Sequence, residues 1–127
     1  MSNQKNQKNS MHNHVEKKVG SMSATELRLT ANLANEELDM RRACWVEEMY
    51  GRFSEKEDRN MAFATRCYTP DNNWAIDRVI VHCFTDKSRS KVVTGMSRVS
   101  PDDFFDYNTG VAIAFARAIG EPVPDLF

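Results

Sequence analysis

The sequence predicts an α+β domain with the element order α-β-β-β-α, in which two helices cover one face of an antiparallel three-stranded meander. Two observations predict this class. The spacing of apolar residues changes from helical to alternating near Met61 and returns to helical after Pro101. Two short segments with turn chemistry join the three alternating stretches, and such short connections produce antiparallel neighbours. A length of 127 residues fits one domain, which we assign to residues 23–127.

Residues 1–22 are assigned to a tail outside this domain. They are rich in Lys, Asn, Gln and Ser and carry few apolar side chains. Such a composition buries too little apolar surface to offset the entropy that is lost on ordering. We therefore predict a disordered polar tail over residues 1–22.

The start of the domain allows two interpretations. Ser23 and Glu26 have the spacing of a capping box, which favours a helix that begins there. The apolar residues that follow are spaced by two, which favours a strand; they are Leu27, Leu29, Ala31 and Leu33. Residues 24–34 are thus open between helix and strand.

A helix is predicted from Asn35 onward. Its broad apolar stripe has helical spacing and is formed by Leu38, Trp45, Met49 and Phe53. Gly51 marks the beginning of its end. Residues 54–60 are predicted to be a charged loop.

Three strands follow, over residues 61–68, 74–85 and 91–99. Side chains in a strand alternate between the two faces of the sheet. One face of the second strand therefore receives Ala75, Val79, Val81 and Cys83, and the other receives Trp74, Ile76, Ile80, His82 and Phe84. Gly95 inside the third strand predicts a bulge or the close approach of another backbone.

The last helix is predicted to run from a cap at Asn108 or Thr109 to about Ile119. Gly120 is typical of a helix end, and Pro122 prevents continuation. Residues 102–105 are predicted to form one short turn before it.

The sequence contains none of the spacings that are typical of a catalytic centre or a metal site. His82 and Cys83 are neighbours in a strand, so their side chains face opposite sides and cannot form a nucleophile–base pair. Three cysteines without a CxxC pair indicate buried free thiols in a reducing cytoplasm. No apolar run reaches the roughly 20 residues that cross a bilayer. We expect a non-enzymatic cytoplasmic protein without metal or cofactor.

Charge is balanced over the chain, with 17 basic and 18 acidic residues, but it is uneven along the chain. From Arg78 to Arg98 there are five basic residues and one acid, Asp86, whereas from Pro101 onward there are five acids and one base, Arg117. The basic hairpin favours a local anionic ligand, or self-association of unlike patches. Arg98 and Arg117 are the candidate contacts, because a guanidinium pairs with phosphate and stacks on bases.

The element order resembles that of the double-stranded-RNA-binding domain (dsRBD). That family uses lysines at the start of its second helix to hold phosphates across a groove. In this chain the matching place holds Asp102, Asp103 and Asp106. The resemblance implies a dsRBD-like fold, and the acidic residues imply that duplex nucleic acid is not the ligand.

A second resemblance rests on the C-terminal third. Residues 95–106 read GMSRVSPDDFFD and residues 110–118 read GVAIAFARA. Together they resemble a signature of small phage and prophage proteins, roughly G-x-A-R-x-x-P-x-D-x-F followed by G-x-x-x-A-x-x-R-A. The first anti-Thoeris family is among the proteins that look similar. Its members capture a cyclic ADP-ribose-type signal and so silence a bacterial defence system.

This resemblance implies a phage-encoded counter-defence protein that sequesters a cyclic nucleotide or cyclic ADP-ribose-type immune signal without cleaving it. It implies that Arg117 holds the nucleotide and that Arg98, Ser100, Pro101 and Phe105 line the same pocket. It also implies a homo-oligomer in which copies share the pockets.

Residues 24–53 have no counterpart in that signature, and they keep other hypotheses open. A long amphipathic segment can bind a protein partner. The alternative is therefore a protein–protein inhibitor of a host defence effector or nuclease, such as an anti-CRISPR, acting through exposed charges such as Arg41, Arg42 and Glu48. A third hypothesis is a dsRBD-like nucleic-acid-binding module.

Overall fold

A computed structural model describes residues 2–69, 72–98 and 106–127. Over these ranges the elements are α1 (Ser2–Gly20), α2 (Ala24–Asp58), β1 (Ala62–Thr69), β2 (Asn72–Phe84), β3 (Val92–Arg98) and α3 (Tyr107–Ala118). The three described strands form one antiparallel sheet in the order β1-β2-β3. The predicted α+β class is confirmed, as is the order α-β-β-β-α from α2 onward.

The chain divides into two compact units, Met1–Asp39 and Met40–Phe127. The first unit contains α1 and the beginning of α2. The predicted capping box starts α2: the backbone N–H of Glu26 donates to Ser23 Oγ at 3.2 Å, and the Ser23 hydroxyl donates to Glu26 Oε1 at 3.0 Å. Residues 24–34 are therefore helical, and their alternating leucines lie on opposite sides of the helix, where they are exposed.

The segment for which the sequence predicts a disordered tail is helix α1 in the structure, over Ser2–Gly20. Its described side chains from Met11 to Lys18 are exposed. Its Lys, Gln, Met and Glu residues are good helix formers, whereas its asparagines, serines and histidines are not, so local propensity alone does not account for this helix. Whether the tail contributes to the stability of the domain stays a prediction, and deletion tests it.

Deletion of residues 1–21 should lower the melting temperature by less than about 4 °C, the shift that roughly 1 kcal/mol causes in a domain of this size. The deletion keeps the Ser23 cap, and the described side chains that it removes from Met11 to Lys18 are exposed. Thermal unfolding followed by circular dichroism measures the effect. A loss of the cooperative transition would show that the tail is an integral part of the fold.

The second unit has its core between the sheet and the two helices. Met49 and Phe53 from α2 and a buried set from α3 pack on Val79, Val81 and Cys83 of β2. The α3 set comprises Val111, Ala112, Ala114, Phe115, Ala116 and Ala118. Both helices thus cover the same face of the sheet, as the alternation in β2 predicts.

The predicted end of the first domain helix near Gly51 is wrong, and so is the predicted loop over residues 54–60. Helix α2 continues to Asp58 and turns at Asn60, whose φ is 57°. A glycine inside a helix costs only about 1 kcal/mol relative to alanine. Burial of Phe53 to 1% exposure outweighs that cost, because a buried aromatic side chain contributes roughly 1.5–3 kcal/mol.

The start of α3 also differs from the prediction. Asp106 is the cap: its carboxylate accepts from the Asn108 backbone N–H at 3.1 Å and from the Thr109 hydroxyl at 2.7 Å. Asn108 and Thr109, which were predicted to cap the helix, instead donate hydrogen bonds to the Asp106 carboxylate. Its end is as predicted, with Gly120 at φ 75°.

The C-terminal segment packs along α2, which the sequence did not predict. Arg52 holds Glu121 with two hydrogen bonds of 2.9 and 2.7 Å, and these bonds lower the pKa of Glu121 below its usual range. The ring of Phe127 lies 5.3 Å from that of Trp45, and Arg42 Nε donates to the carbonyl of Leu126. These contacts close the second unit at its C-terminal end.

Candidate functional site

The sheet has one face packed on helices and one face that no helix of the described ranges covers. The strand register assigns the side chains. Phe63 lies opposite His82, Thr65 opposite Ile80 and Cys67 opposite Arg78 on β1 and β2, and the same β2 residues lie opposite Thr94, Met96 and Arg98 on β3. We call this the open sheet face; it comprises Phe63, Thr65, Cys67, Arg78, Ile80, His82, Phe84, Val92, Thr94, Met96 and Arg98. None of these residues is buried, whereas Val79, Val81, Cys83 and Ser97 on the other face are.

Aromatic rings occupy one half of the open sheet face. The Phe63 ring stacks on the His82 imidazole, with centroids 4.4 Å apart and planes 13° from parallel. The Phe84 ring lies 6.4 Å from Phe63, and the guanidinium carbon of Arg89 is 5.9 Å from the Phe84 centroid. Phe63 remains 45% exposed, so its outer surface is available to a planar ligand.

Arginines occupy the other half. Arg78 on β2 and Arg98 on β3 are register partners. Arg78 Nη1 is 3.9 Å from the Met96 sulfur, and its Nε is a buried donor without a hydrogen bond, 3.5 Å from Asp77 Oδ2. Asp77 belongs to the opposite face by alternation, and the open sheet face itself has no Asp or Glu.

The single acid of the basic hairpin is engaged within its own turn. Asp86 accepts hydrogen bonds from the Ser90 backbone N–H at 3.0 Å and from the Ser88 hydroxyl at 2.9 Å, as well as from the Ser90 hydroxyl. Hydrogen bonds from Ser90 and Ser88 lower the pKa of Asp86 below its usual range. Asp86 is therefore ionised at neutral pH, and its charge shapes the turn between β2 and β3.

The outer edge of β3 carries the two arginines that the sequence singled out. The Thr85 N–H donates to the Lys91 carbonyl at 3.1 Å, so Thr85 and Lys91 form a hydrogen-bonded pair of the ladder. Hydrogen-bonded and non-hydrogen-bonded pairs alternate along antiparallel strands. The backbone groups of Thr94, Met96 and Arg98 therefore point away from β2. At that edge Arg117 Nη1 donates to the Met96 carbonyl at 2.6 Å. Arg117 thus crosses from α3 to β3. We call Met96, Arg98 and Arg117 the edge site.

The edge site places the Arg117 guanidinium on the Met96 carbonyl, two residues along β3 from Arg98, although Arg98 and Arg117 are separated by 19 positions in the chain. Both side chains are exposed. Residues two apart on a strand are about 6.6 Å apart, so the Arg98 backbone is one step from the carbonyl that holds Arg117. The other predicted pocket residues, Ser100, Pro101 and Phe105, lie outside the described residues, as does the predicted short turn over 102–105.

The side chains of His82 and Cys83, which are neighbours in β2, lie on opposite faces of the sheet. Cys83 is buried in the core, and burial raises the pKa of its thiol, while His82 lies on the open sheet face. All three cysteines are free, but the prediction that all are buried is wrong, since Cys44 is exposed and Cys67 half-buried.

Among the described residues, no three His, Cys, Asp or Glu side chains are grouped so that they could hold a metal ion. None of the described helices is both long and apolar enough to cross a membrane.

Sequence reasoning missed the stack of Phe63 on His82. Alternation placed His82 and Phe84 on one face of β2, but the side of β1 that pairs with them depends on the register across the connecting turn. With the register of β1 and β2 known, alternation in β1 would have placed Phe63 on the same face as His82 and Phe84. The side chain of Trp74, which was expected on the same face, lies outside the described side chains.

No protein-family model, curated protein or solved structure matches this chain.

Proposed function

We propose that the protein captures a cyclic nucleotide of the cyclic ADP-ribose type at the edge site and holds it without cleaving it, as a phage-encoded counter-defence protein in the cytoplasm of a bacterial host. One observation carries the proposal: the exposed Arg117 guanidinium is held at the outer edge of β3, on the carbonyl two residues before Arg98. The resemblance of residues 95–118 to the phage signature supports the nature of the ligand.

The chemistry of the edge site suits a phosphate. A guanidinium has five N–H donors in a rigid plane, and the bond to the Met96 carbonyl uses one nitrogen, Nη1. The remaining donors of Arg117 are available to an anion, and Arg98 adds a second cation. The outward backbone N–H groups of Met96 and Arg98 point to the same edge and add neutral donors. Fixing one side of the Arg117 plane in advance lowers the ordering cost of binding.

Capture without cleavage follows from the groups around this site. Arginine remains protonated in proteins and cannot serve as a general base. The His82 imidazole stacks on Phe63, and the Cys83 thiol is buried on the opposite face. The described residues of the edge site, arginines and backbone amides, stabilise a bound phosphate and include no nucleophile. We therefore propose sequestration as the mechanism.

Substitution of Arg117 by alanine should weaken capture of cyclic ADP-ribose by roughly 10- to 150-fold, because loss of one charge-assisted contact costs about 1.5–3 kcal/mol. The fold should persist, since Arg117 is exposed and lies outside the core. Native mass spectrometry of the full chain with cyclic ADP-ribose and a panel of cyclic dinucleotides measures binding and the mass of the bound ligand.

Arg28→Ala is the matched control, since Arg28 is an exposed arginine of α2 far from the edge site in sequence. It should bind like the unmodified protein. Unchanged binding by Arg117→Ala would refute capture at the edge site, and recovery of a hydrolysed ligand would refute capture without cleavage.

We also propose that the protein is a homo-oligomer, as pockets shared between copies require. The beginning of α2 supports this: Leu27, Leu29, Leu33 and Leu38 are 40%, 58%, 55% and 37% exposed, and apolar residues on two sides of one helix favour contact with further helices. The same mass spectra report the number of copies. At least a dimer is expected at micromolar concentration.

The exposed leucines of α2 also favour a second candidate, a protein–protein inhibitor of a host defence effector. Charge reversal at Arg41 or Glu48 tests it, because both are exposed on α2. Arg42 is unsuitable for this test, since it donates to the Leu126 carbonyl. If these reversals abolish protection of a phage and Arg117→Ala does not, the inhibitor replaces nucleotide capture.

A further inference from the structure

We propose that the open sheet face binds single-stranded nucleic acid by stacking unpaired bases on Phe63 and holding the backbone with arginines. This goes beyond capture of a small nucleotide at the edge site and does not depend on Arg117. The observation behind it is the order of side chains along the face. Aromatic rings lie at the end near the β2–β3 turn, apolar Ile80 and Met96 follow, and Arg78 and Arg98 lie at the far end.

The rings form a surface that a base can cover. Phe63 and His82 are nearly parallel and in contact, and Phe84 extends the same surface. Every base has a π face, so stacking on an aromatic side chain tolerates any sequence. In a duplex these faces are already stacked on neighbouring bases. The geometry therefore selects unpaired strands over double helices.

Cations lie at both ends of this surface. Arg89 packs over Phe84 at 5.9 Å from the ring, and Arg78 and Arg98 form a cross-strand pair at the other end. The six residue steps from Phe84 to Arg78 span about 20 Å at roughly 3.3 Å per step, which exceeds the size of one nucleotide. A strand that lies along the face can place its bases on the rings and its phosphates on the arginines.

Charge complementarity favours a polyanion over a second copy of the chain. The open sheet face carries Arg78 and Arg98 and no acid. At its margin the turn holds Arg89 and Asp86, and Asp77 of the opposite face pairs with Arg78 at 3.5 Å. A two-fold symmetric contact places the same patch against itself. Such a contact would place the arginines of one copy against basic, apolar or aromatic side chains of the other, where no carboxylate of the face could pair with them. A phosphate backbone offers the opposite charge along its whole length.

The test is fluorescence anisotropy of the full chain with a labelled 12-nucleotide oligo(dT), in low and moderate salt. Phe63→Leu keeps an apolar side chain and removes the ring, and it should weaken binding about 5-fold or more. Arg78→Gln should reduce the slope of log affinity against log salt by about 0.7, the value for one lost phosphate contact on a single strand. A duplex of equal length should compete poorly.

Phe127→Ala, an exposed aromatic of the C-terminal segment, and Arg117→Ala are the controls and should bind oligo(dT) like the unmodified protein. Loss of cyclic nucleotide capture in Arg117→Ala with intact oligo(dT) binding separates the two proposals. Absence of oligo(dT) binding by the unmodified protein, or equal binding by Phe63→Leu, would overturn the stacking proposal. Dissociation of an oligomer by Phe63→Leu without any oligo(dT) binding would assign this face to self-association and overturn it as well.

Discussion

Substitution of Gly95 by alanine is expected to destabilise the domain by about 3 kcal/mol or more, which is a large share of the 5–15 kcal/mol of a typical domain. A Cβ atom at Gly95 would overlap the carbonyl oxygen of Ala114 and the amide nitrogen of Ala118, and it would lie 3.0 Å from Ala118 Cα. These are backbone atoms, so no rotamer change can relieve the overlap. Helix α3 would have to move away from β3.

Gly51→Ala is the matched control, with an effect of opposite sign. Gly51 lies inside α2, and an added Cβ would meet no atom within 4 Å. Alanine is favoured over glycine in a helix interior by about 0.5–1 kcal/mol, so this variant should be slightly stabilised. Urea unfolding of both variants measures the difference. A Gly95→Ala variant within about 0.5 kcal/mol of the unmodified protein would contradict the close crossing of α3 over β3.

Gly95 also shows how much of the packing can be predicted from the sequence. A glycine within an alternating segment predicted either a bulge or a close backbone approach. The β2–β3 register continues without a shift through Gly95, and the close approach is present. The sequence could not name the approaching backbone, because α3 begins 12 positions later and its path over the sheet depends on how the whole core packs.

The predicted element boundaries were wrong where a weak local preference opposed a stronger long-range contact. Gly51 favours a helix end locally, but Phe53 continues the apolar stripe and is buried against α3 through Phe115, with ring centroids 6.0 Å apart. At α3 the observed cap Asp106 and the two predicted caps, Asn108 and Thr109, have similar capping preference. The choice of Asp106 depends on where the chain emerges from β3, which composition does not encode.

The candidate site was predicted in part. The sequence identified Arg98 as a guanidinium of the basic hairpin and Arg117 as the one cation of an apolar and acidic C-terminal stretch. Their shared location at the edge of β3 follows from the packing of α3 and from the Met96 carbonyl, which local spacing cannot show. Phe63 was missed for a similar reason, since the partner of a strand residue is defined by the register. Register here is fixed by the buried residues of the other face.

The second large effect is expected for Phe115→Ala, which should cost about 3–5 kcal/mol of stability. Phe115 is 0% exposed, lies at the centre of the core and packs edge-on against Phe53. Truncation removes the buried area of a ring, and the other fully buried members of the core cluster, such as Val79, Val81 and Val111, have short side chains, so collapse into the cavity is limited. The edge-to-face contact with Phe53 is lost as well, at about 0.5–1.5 kcal/mol.

Phe63→Ala provides the comparison on the open sheet face, where the same change should cost less than about 1.5 kcal/mol because the ring is 45% exposed and packs mainly on His82. Chemical unfolding of the two variants under identical conditions gives both values. The order matters more than either value: a larger loss for Phe63→Ala than for Phe115→Ala would mean that the main core lies on the face of the sheet that is open here. With the expected order, Phe63 variants remain folded, and any change in their binding of oligo(dT) reports on the face itself.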